Sequence, residues 1–474
     1  MWLALSFAVA VSATPDTSTH YFKGLARPKV AELTAKAGDG PVIVLVVDAM
    51  RPDRLSPYGA ARDPSPVMSA LADDGVTLTN YFVNANWTRP STASMLTGLL
   101  PSDHLVQGEG DKLGPQFTTI AELLAAKGVP TGAVIGNGNA ASAFGLAQGF
   151  TEFADTVTHW KGLPTADEVV DLALPFVERH AKERFFLFVF MVDTHDPYHA
   201  PGDFETRYVT NPEVPLVRTP HWEIGDYSPE QVQRMKETYD GAIAYTDRAL
   251  GRFFGRLKEL GVYDKATIML TADHGEAFGE HGVYLHAHHL YDEIVRAPLI
   301  VKAPHMSKRG AYSPALAQSI DLFPTIARAF GLPLAKDLLG ADLFALMANS
   351  EKTRSVIAEF TNFGIKRRML RTLADKVVWQ LPADEAQFLA TVKKKSLLPS
   401  VTFDRETVKL FDMAKDPLEQ RDLYSEQAVR DPRWAKLMQS LRAYEKRHAA
   451  QSATVVERLD AETYRDLKEL GYID

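Results

Sequence analysis

The sequence predicts an α/β protein with a doubly wound, largely parallel sheet and a smaller α+β part after it. Three observations predict this. Val, Ile, Leu and Phe cluster in short continuous runs at residues 42–47, 185–192 and 267–270, too continuous for half-exposed strands, so they read as buried parallel strands. Helical patterns lie between them at residues 119–126, 166–180 and 229–260, the last followed by Gly261, and strands alternating with helices imply a sheet covered on both faces. Each run also ends in polar residues: Asp48; Asp193, His195 and Asp196; Asp273 and His274. In open α/β sheets the ligand crevice lies at the carboxyl ends of the strands. One such Asp is most simply a cap or turn former; three ends together point to a site.

Residues 88–98 read as a helix with its start and stop: Thr88 at or just before the N-terminus, Pro90 in the first turn, Gly98 past the end. Free N–H groups there favour an anion, although this segment alone is explained by Thr88 capping the helix. Beyond residue 345 the pattern changes to short strands at 375–380 and 407–411 and a closing amphipathic helix at 434–447. A chain of 474 residues exceeds the ~250 to 300 residues of one core, so the expected division is a catalytic domain at 38–345 and a small domain at 346–474.

Composition narrows the function classes. With 46% apolar and 24% charged residues the chain can bury a full core. A net charge of -8 without a basic run argues against nucleic-acid binding, which needs cations to neutralise phosphates; a small-molecule, lipid or glycan ester is the expected partner. The absence of cysteine removes disulfides, thiolate metal sites and Cys nucleophiles. Residues 1–13 (MWLALSFAVAVSA) resemble a signal-peptide apolar region ending in small residues, with no Lys or Arg before it, and the expected location is periplasmic or secreted. No run approaches the ~20 apolar residues of a membrane span.

Motifs in order along the chain carry a resemblance. Thr88-Arg89-Pro90-Ser91-Thr92 through Met95 and Thr97-Gly98 resembles the signature of the sulfatase family of the alkaline-phosphatase superfamily. Residues 44–59 resemble that family's first strand, 145–155 its GFxxF segment, and Asp193-Thr194-His195-Asp196-Pro197-Tyr198 its His-x-Pro strand end. Ala272-Asp273-His274-Gly275-Glu276 resembles its second metal motif. Residues 280–300, with Glu280-His281-Gly282 and His286, resemble the segment that places a basic residue over the substrate; 409–423 resemble the C-terminal hairpin. The resemblance implies an alkaline-phosphatase-like fold, metal ligands Asp48, Asp273 and His274 with the Thr88 oxygen, a nucleophile at Thr88, His286 and His195 as proton donors to the leaving group or hydrogen-bond donors to a phosphoryl oxygen, and substrate contact at Asn137. Oxygen-rich ligands without sulfur suit Mg, Mn, Ca or Zn, with the harder ions favoured. The run His281, His286, His288, His289 offers a second metal site or, more simply, a surface cluster, with His288 and His289 outside the ligand set.

The sequence departs from the family pattern at four places. Thr88 stands where sulfatases carry the Cys or Ser converted to formylglycine, and oxidising a secondary alcohol gives a ketone, so no formylglycine is expected. Thr92 replaces the signature Arg, Ala49 a frequent second ligand, and Asn137 lies near the usual Lys. A formylglycine hydrate expels sulfate by collapsing to the aldehyde; a Thr ester must instead be opened at its central atom, which suits phosphorus. The expected activity is therefore metal-dependent hydrolysis of a phosphoric ester, phosphodiesters included, through Thr88. The alternatives are a phosphoglycerol or phosphoethanolamine transferase, true sulfuric ester hydrolysis, and an inactive anion-binding relative.

Overall fold

Apolar continuity decides where the sheet lies. The computed structural model describes residues 21–22, 24–30, 33–159, 163–198, 200–217, 227–350, 353–391, 401–450, 456–460, 463 and 465; the apolar opening at 1–13 lies outside them. The central sheet has eight strands: β1 (Val42–Val47), β2 (Val76–Phe82), β3 (Thr131–Ile135), β4 (Glu152–Asp155), β5 (Phe186–Met191), β6 (Thr267–Thr271), β7 (Leu299–Lys302) and β8 (Ala311–Gln318). Their order is β8-β2-β7-β6-β1-β5-β3-β4, and only β7 runs antiparallel to its neighbours. The three expected runs are β1, β5 and β6, adjacent at the centre and buried at every residue. That is why they lack alternation.

The strands that composition did not reveal have a physical reason for hiding. β2 carries Thr77, Thr79 and Asn80 in full burial. It can do so because β8 is irregular between Ser313 and Leu316, which leaves the Pro314 carbonyl to accept from Asn80 Nδ2 at 3.0 Å and satisfies the buried amide.

The helices used below are α1 (Pro66–Asp73), α2 (Thr88–Thr97), α3 (Ala166–His180), α4 (Pro229–Glu259) and α5 (Pro432–Ala450). α3 begins in a Thr165–Glu168 capping box and α4 in a Ser228–Gln231 one, each satisfying amides that a helix start leaves free. Gly261, at φ 67°, follows the end of α4. Among the described residues no helix is long and apolar enough to cross a membrane.

The C-terminal part is an antiparallel meander of β9 (Val356–Asn362), β10 (Ile365–Arg371), β11 (Asp375–Gln380) and β12 (Thr407–Asp412). One face, with Leu370, Val377, Trp379 and Leu410, packs on Trp434, Leu437 and Leu441 of α5. The opposite face sends Val356, Ala358, Phe360, Ile365 and Met369 into the core of the large sheet. β9 is also tied to the segment after β2, with Glu359 N donating to Asn84 O at 2.9 Å.

Candidate active site

Parallel pairing brings two acidic strand ends together. β1 and β6 are neighbours, with Val46 opposite Thr271, so Asp48, Asp273 and His274 emerge side by side, all fully buried. His274 Nε2 lies 3.5 Å from Asp48 Oδ1 and 3.3 Å from Asp273 Oδ2. Its Nδ1 donates to Gly275 O at 2.9 Å, which leaves the Nε2 lone pair facing the carboxylates, and burial holds the imidazole below its ordinary pKa, hence neutral. Asp273 Oδ1 accepts from Ala49 N at 3.1 Å and His274 N at 3.0 Å, while Asp48 Oδ2 accepts from Asn137 Nδ2.

The other two oxygens, Asp48 Oδ1 and Asp273 Oδ2, are buried without a hydrogen-bond donor. Burial, with the Asp273 charge added, pushes the Asp48 carboxyl well above its usual range. Two donorless carboxylate oxygens and an imidazole lone pair, mutually within 4.8 Å, are costly for an empty cavity and fit a divalent cation with hard oxygen ligands. Ala49 serves this arrangement through its backbone. Its φ of 53°, at a cost of about 1–2 kcal/mol for an L-residue, turns its N–H onto Asp273.

Thr88 is the first residue of α2, with Trp87 in the N-cap position. Its hydroxyl points to the acidic trio: Oγ1 is 3.4 Å from His274 Nε2 and 3.5 Å from Asn137 Nδ2. Ser91, one turn on, donates to Asp273 O at 2.6 Å, fixing the helix against the strand end. Thr92 Oγ1 donates to Thr88 O at 2.8 Å and brings no cation. Nor does Arg89 replace the missing Arg. Its guanidinium stacks on Phe144 at 3.4 Å and donates to Asn139 Oδ1 at 2.7 Å and to the carbonyls of Gly108 and Asp111, each at 3.3 Å.

The imidazoles of His195 and His286 complete one wall. His286 lies 4.2 Å, centroid to centroid, from His274 and 4.9 Å from His195. Behind it stands Glu276, fully buried, with Oε1 3.1 Å from His286 Nδ1 and Oε2 accepting from Tyr198 OH at 3.4 Å. Burial first, then Asp196 and Asp48, push its carboxyl well above the usual range. Sequence reasoning gave Glu276 no role. The signal was its place two residues after His274, but only the fold shows that it orients His286.

The geometry matches a known group. The sulfatase family model matches residues 41–332, and that span contains every residue of this constellation. The chain belongs to the sulfatase family. It is 31% identical over 121 residues to N-acetylglucosamine-6-O-sulfatase of Bacteroides thetaiotaomicron, covering 26% of this chain and 22% of that protein. It is 22% identical to arylsulfatase K of Bos taurus over 80% of this chain and 77% of the relative. With N-sulphoglucosamine sulphohydrolase of Homo sapiens it shares 25% over 81% and 85%. Among solved structures, a protein in complex with its substrate D-glucosamine-2-N,6-O-disulfate superposes with a TM-score of 0.67, at 18% identity over 88% of this chain and 99% of that one. The phosphonate monoester hydrolase of Agrobacterium radiobacter gives 0.66, at 20% identity over 87% and 96%. These structural likenesses establish the fold, an alkaline-phosphatase-like sheet followed by a C-terminal antiparallel sheet.

Two expectations about this sulfatase-family chain need correction or division. The histidine run is no surface cluster: His286, His288 and His289 are buried, with His288 O accepting from Arg367 of the C-terminal meander and His289 O from Asn86 after β2. His281 turns away from the acidic trio, with Nδ1 2.8 Å from Glu293 Oε1 and its ring stacked on Tyr291 at 3.7 Å. Among the described residues only Asp48, Asp273 and His274 form a metal-capable group. Of the polar residues ending β5, His195 reaches the site, whereas Asp193 Oδ1 accepts from Ala166 N at 3.0 Å at the start of α3. Its role is the bland one, at a helix start.

Proposed function

We propose that the chain is a metal-dependent hydrolase of phosphoric esters in which Thr88 Oγ1 is the attacking atom. The observation that carries this reading is the Thr88 hydroxyl itself, buried at the first position of α2 and directed at His274 and Asn137. Asp48, Asp273 and His274 would hold a divalent cation, which would supply positive charge to lower the pKa of a neighbouring hydroxyl and polarise a substrate oxygen. The protein groups do the rest. Thr88 Oγ1 loses its proton to solvent and forms a bond to phosphorus as the ester bond to the leaving alcohol breaks, and His286 or His195 gives the departing oxygen its proton. Free N–H groups at the start of α2 and Asn137 Nδ2 are donors for the non-bridging oxygens. Glu276 and Tyr198 hold His286 in place. Water then opens the Thr88 phosphoester at phosphorus, returning the hydroxyl.

Phosphorus is preferred because a Thr sulfate ester lacks the collapse to an aldehyde that releases sulfate from formylglycine. The neighbouring structure named as a phosphonate monoester hydrolase supports a phosphorus-centred ester. The curated relatives named as sulfatases favour a second reading, sulfuric ester hydrolysis with water as attacking group. Turnover of aryl phosphate, phosphodiester, phosphonate and sulfate esters with one common leaving group decides between them. Phosphorus esters are expected to react faster, and acid-quenched protein to carry added mass on the peptide containing Thr88. Thr88→Ala removes that mass with most of the activity, whereas Thr88→Ser keeps part of both. A better sulfate ester with no labelled peptide would refute the Thr88 route. Product analysis with glycerol or ethanolamine present distinguishes hydrolysis from transfer.

A further inference from the structure

A small cleft lies between the segment carrying His289 to Tyr291 and the C-terminal sheet. Its floor follows from strand register: Arg367 of β10 stands opposite Gln380 of β11, Gln380 opposite Thr407 of β12, and Val378 opposite Lys409. Paired residues, and residues two apart, share a face, so the two cations, the amide and the hydroxyl all rise on the side away from α5. Arg367 is only 6% exposed. Its Nε and Nη2 donate to Gln380 Oε1 at 3.0 and 2.9 Å and its Nη1 to His288 O. These acceptors are neutral, and among the described residues no carboxylate pairs with it. Lys409 Nζ donates to Tyr291 OH at 2.6 Å.

Two carboxylates act on Lys409, and no contact among the described residues brings either within ion-pair distance of it. Asp422 Oδ1 accepts from Leu410 N and Tyr424 N at 3.0 and 2.9 Å, and Glu419 is ion-paired with Lys376 at 2.7 Å. A desolvated cation without a counter-ion is strongly unfavourable, and a planar guanidinium and an ammonium lining one cleft are donors that oxyanions select.

The cleft adjoins the reaction centre through the chain itself. His286, at one end of the same segment, packs on His274, and His289 O accepts from Asn86 Nδ2 at 3.0 Å, two residues before Thr88.

We propose that the Arg367–Lys409 cleft is an oxyanion-binding subsite, taking a carboxylate, sulfate or phosphate group that the ester substrate carries away from its scissile bond. Anion binding here holds whichever ester is cleaved; assigning the anion to the substrate rests on the ester-hydrolase reading. Two arms test it. Crystals of the full chain soaked in selenate are expected to show anomalous density at the Arg367 guanidinium, lost in Arg367→Gln; no density in the unaltered protein, or density that survives the substitution, overturns the site. In the second arm, aryl esters with and without a distant carboxylate are compared in Arg367→Gln and in the more conservative, half-exposed Lys409→Gln. Loss of a charge-assisted contact raises KM for the carboxylated ester by about tenfold, with the neutral ester unchanged. Equal effects on both esters overturn the substrate assignment and leave a free anion as the ligand. Failure of the ester-hydrolase reading shows instead as no turnover of either ester, with the selenate arm still readable.

Discussion

At the scale of single residues, the acidic trio places two demands on the protein that pull in opposite directions. To share a cation, as proposed, Asp48 and Asp273 would have to be close, and burial together with that closeness raises the Asp48 pKa. Replacing Asp48 by Asn keeps the shape and removes one of the two like charges. The Asp48→Asn protein is therefore expected to lose bound metal and activity, yet after chelation to be more stable than the chelated parent by about 1 kcal/mol, relief of one like-charge contact. Metal analysis and denaturant unfolding with and without chelator check this; an Asp48→Asn protein that keeps full metal occupancy would remove the assignment. The sequence made Asp48, Asp273, His274 and Thr88 legible because each follows a strand or opens a helix whose pattern is visible. It could not show Glu276 as a partner of His286, since that contact depends on a turn made by residues ten apart.

At the scale of elements, α2 and α5 each end in a testable contact. Gly98 closes α2 at φ 70°, and a Cβ there would meet Phe323 Cβ at 2.9 Å. Gly98→Ala is expected to cost about 1–2 kcal/mol from the left-handed backbone plus the displacement of Phe323, read as a lower unfolding midpoint. α5 is tethered near its C-terminus by His448 Nε2, 2.7 Å from Asp103 Oδ1. Burial alone would lower the His448 pKa, but the hydrogen bond to Asp103 and its charge win, and the value is raised above the ordinary 6.5. A folded-state pKa above the unfolded one means that this stabilisation is fully present below the unfolded value and is lost as pH rises through the folded value. The difference in unfolding free energy between the parent and His448→Gln should thus be largest below the ordinary imidazole value of about 6.5 and shrink as pH rises above it. A difference that grows with pH would contradict the tether.

At the scale of the whole molecule, the meander is joined to the large sheet rather than hung from it. Val356, Ala358, Phe360, Ile365 and Met369 lie in the main core, and Asn84 Nδ2 donates to Ile357 O at 2.7 Å. A division near residue 345, natural from the change in sequence pattern, therefore cuts through shared packing. Residues 38–345 expressed alone are expected to give an aggregating or expanded chain, because an apolar face of this extent cannot be left in water. Cooperative unfolding of that fragment, by circular dichroism and denaturant titration, would show two independent domains instead.

The sequence by itself determined the central strands, the long helices and the strand-end acids, since each is encoded by a local period or by an end signal read within a few residues. It also determined that position 88 is a secondary alcohol, a covalent fact no fold can alter. Tertiary structure decided the rest. Buried polar strands such as β2 exist only because a bulged neighbour satisfies them. Asp193 lies at a helix start while His195 reaches the site, although the two are separated by a single residue. Arg367 and Lys409 line one cleft only because three strands align in one register. Such outcomes depend on which groups distant in the chain meet in a dry interior, where an unpaired charge or amide is costly, and local sequence carries no record of those meetings.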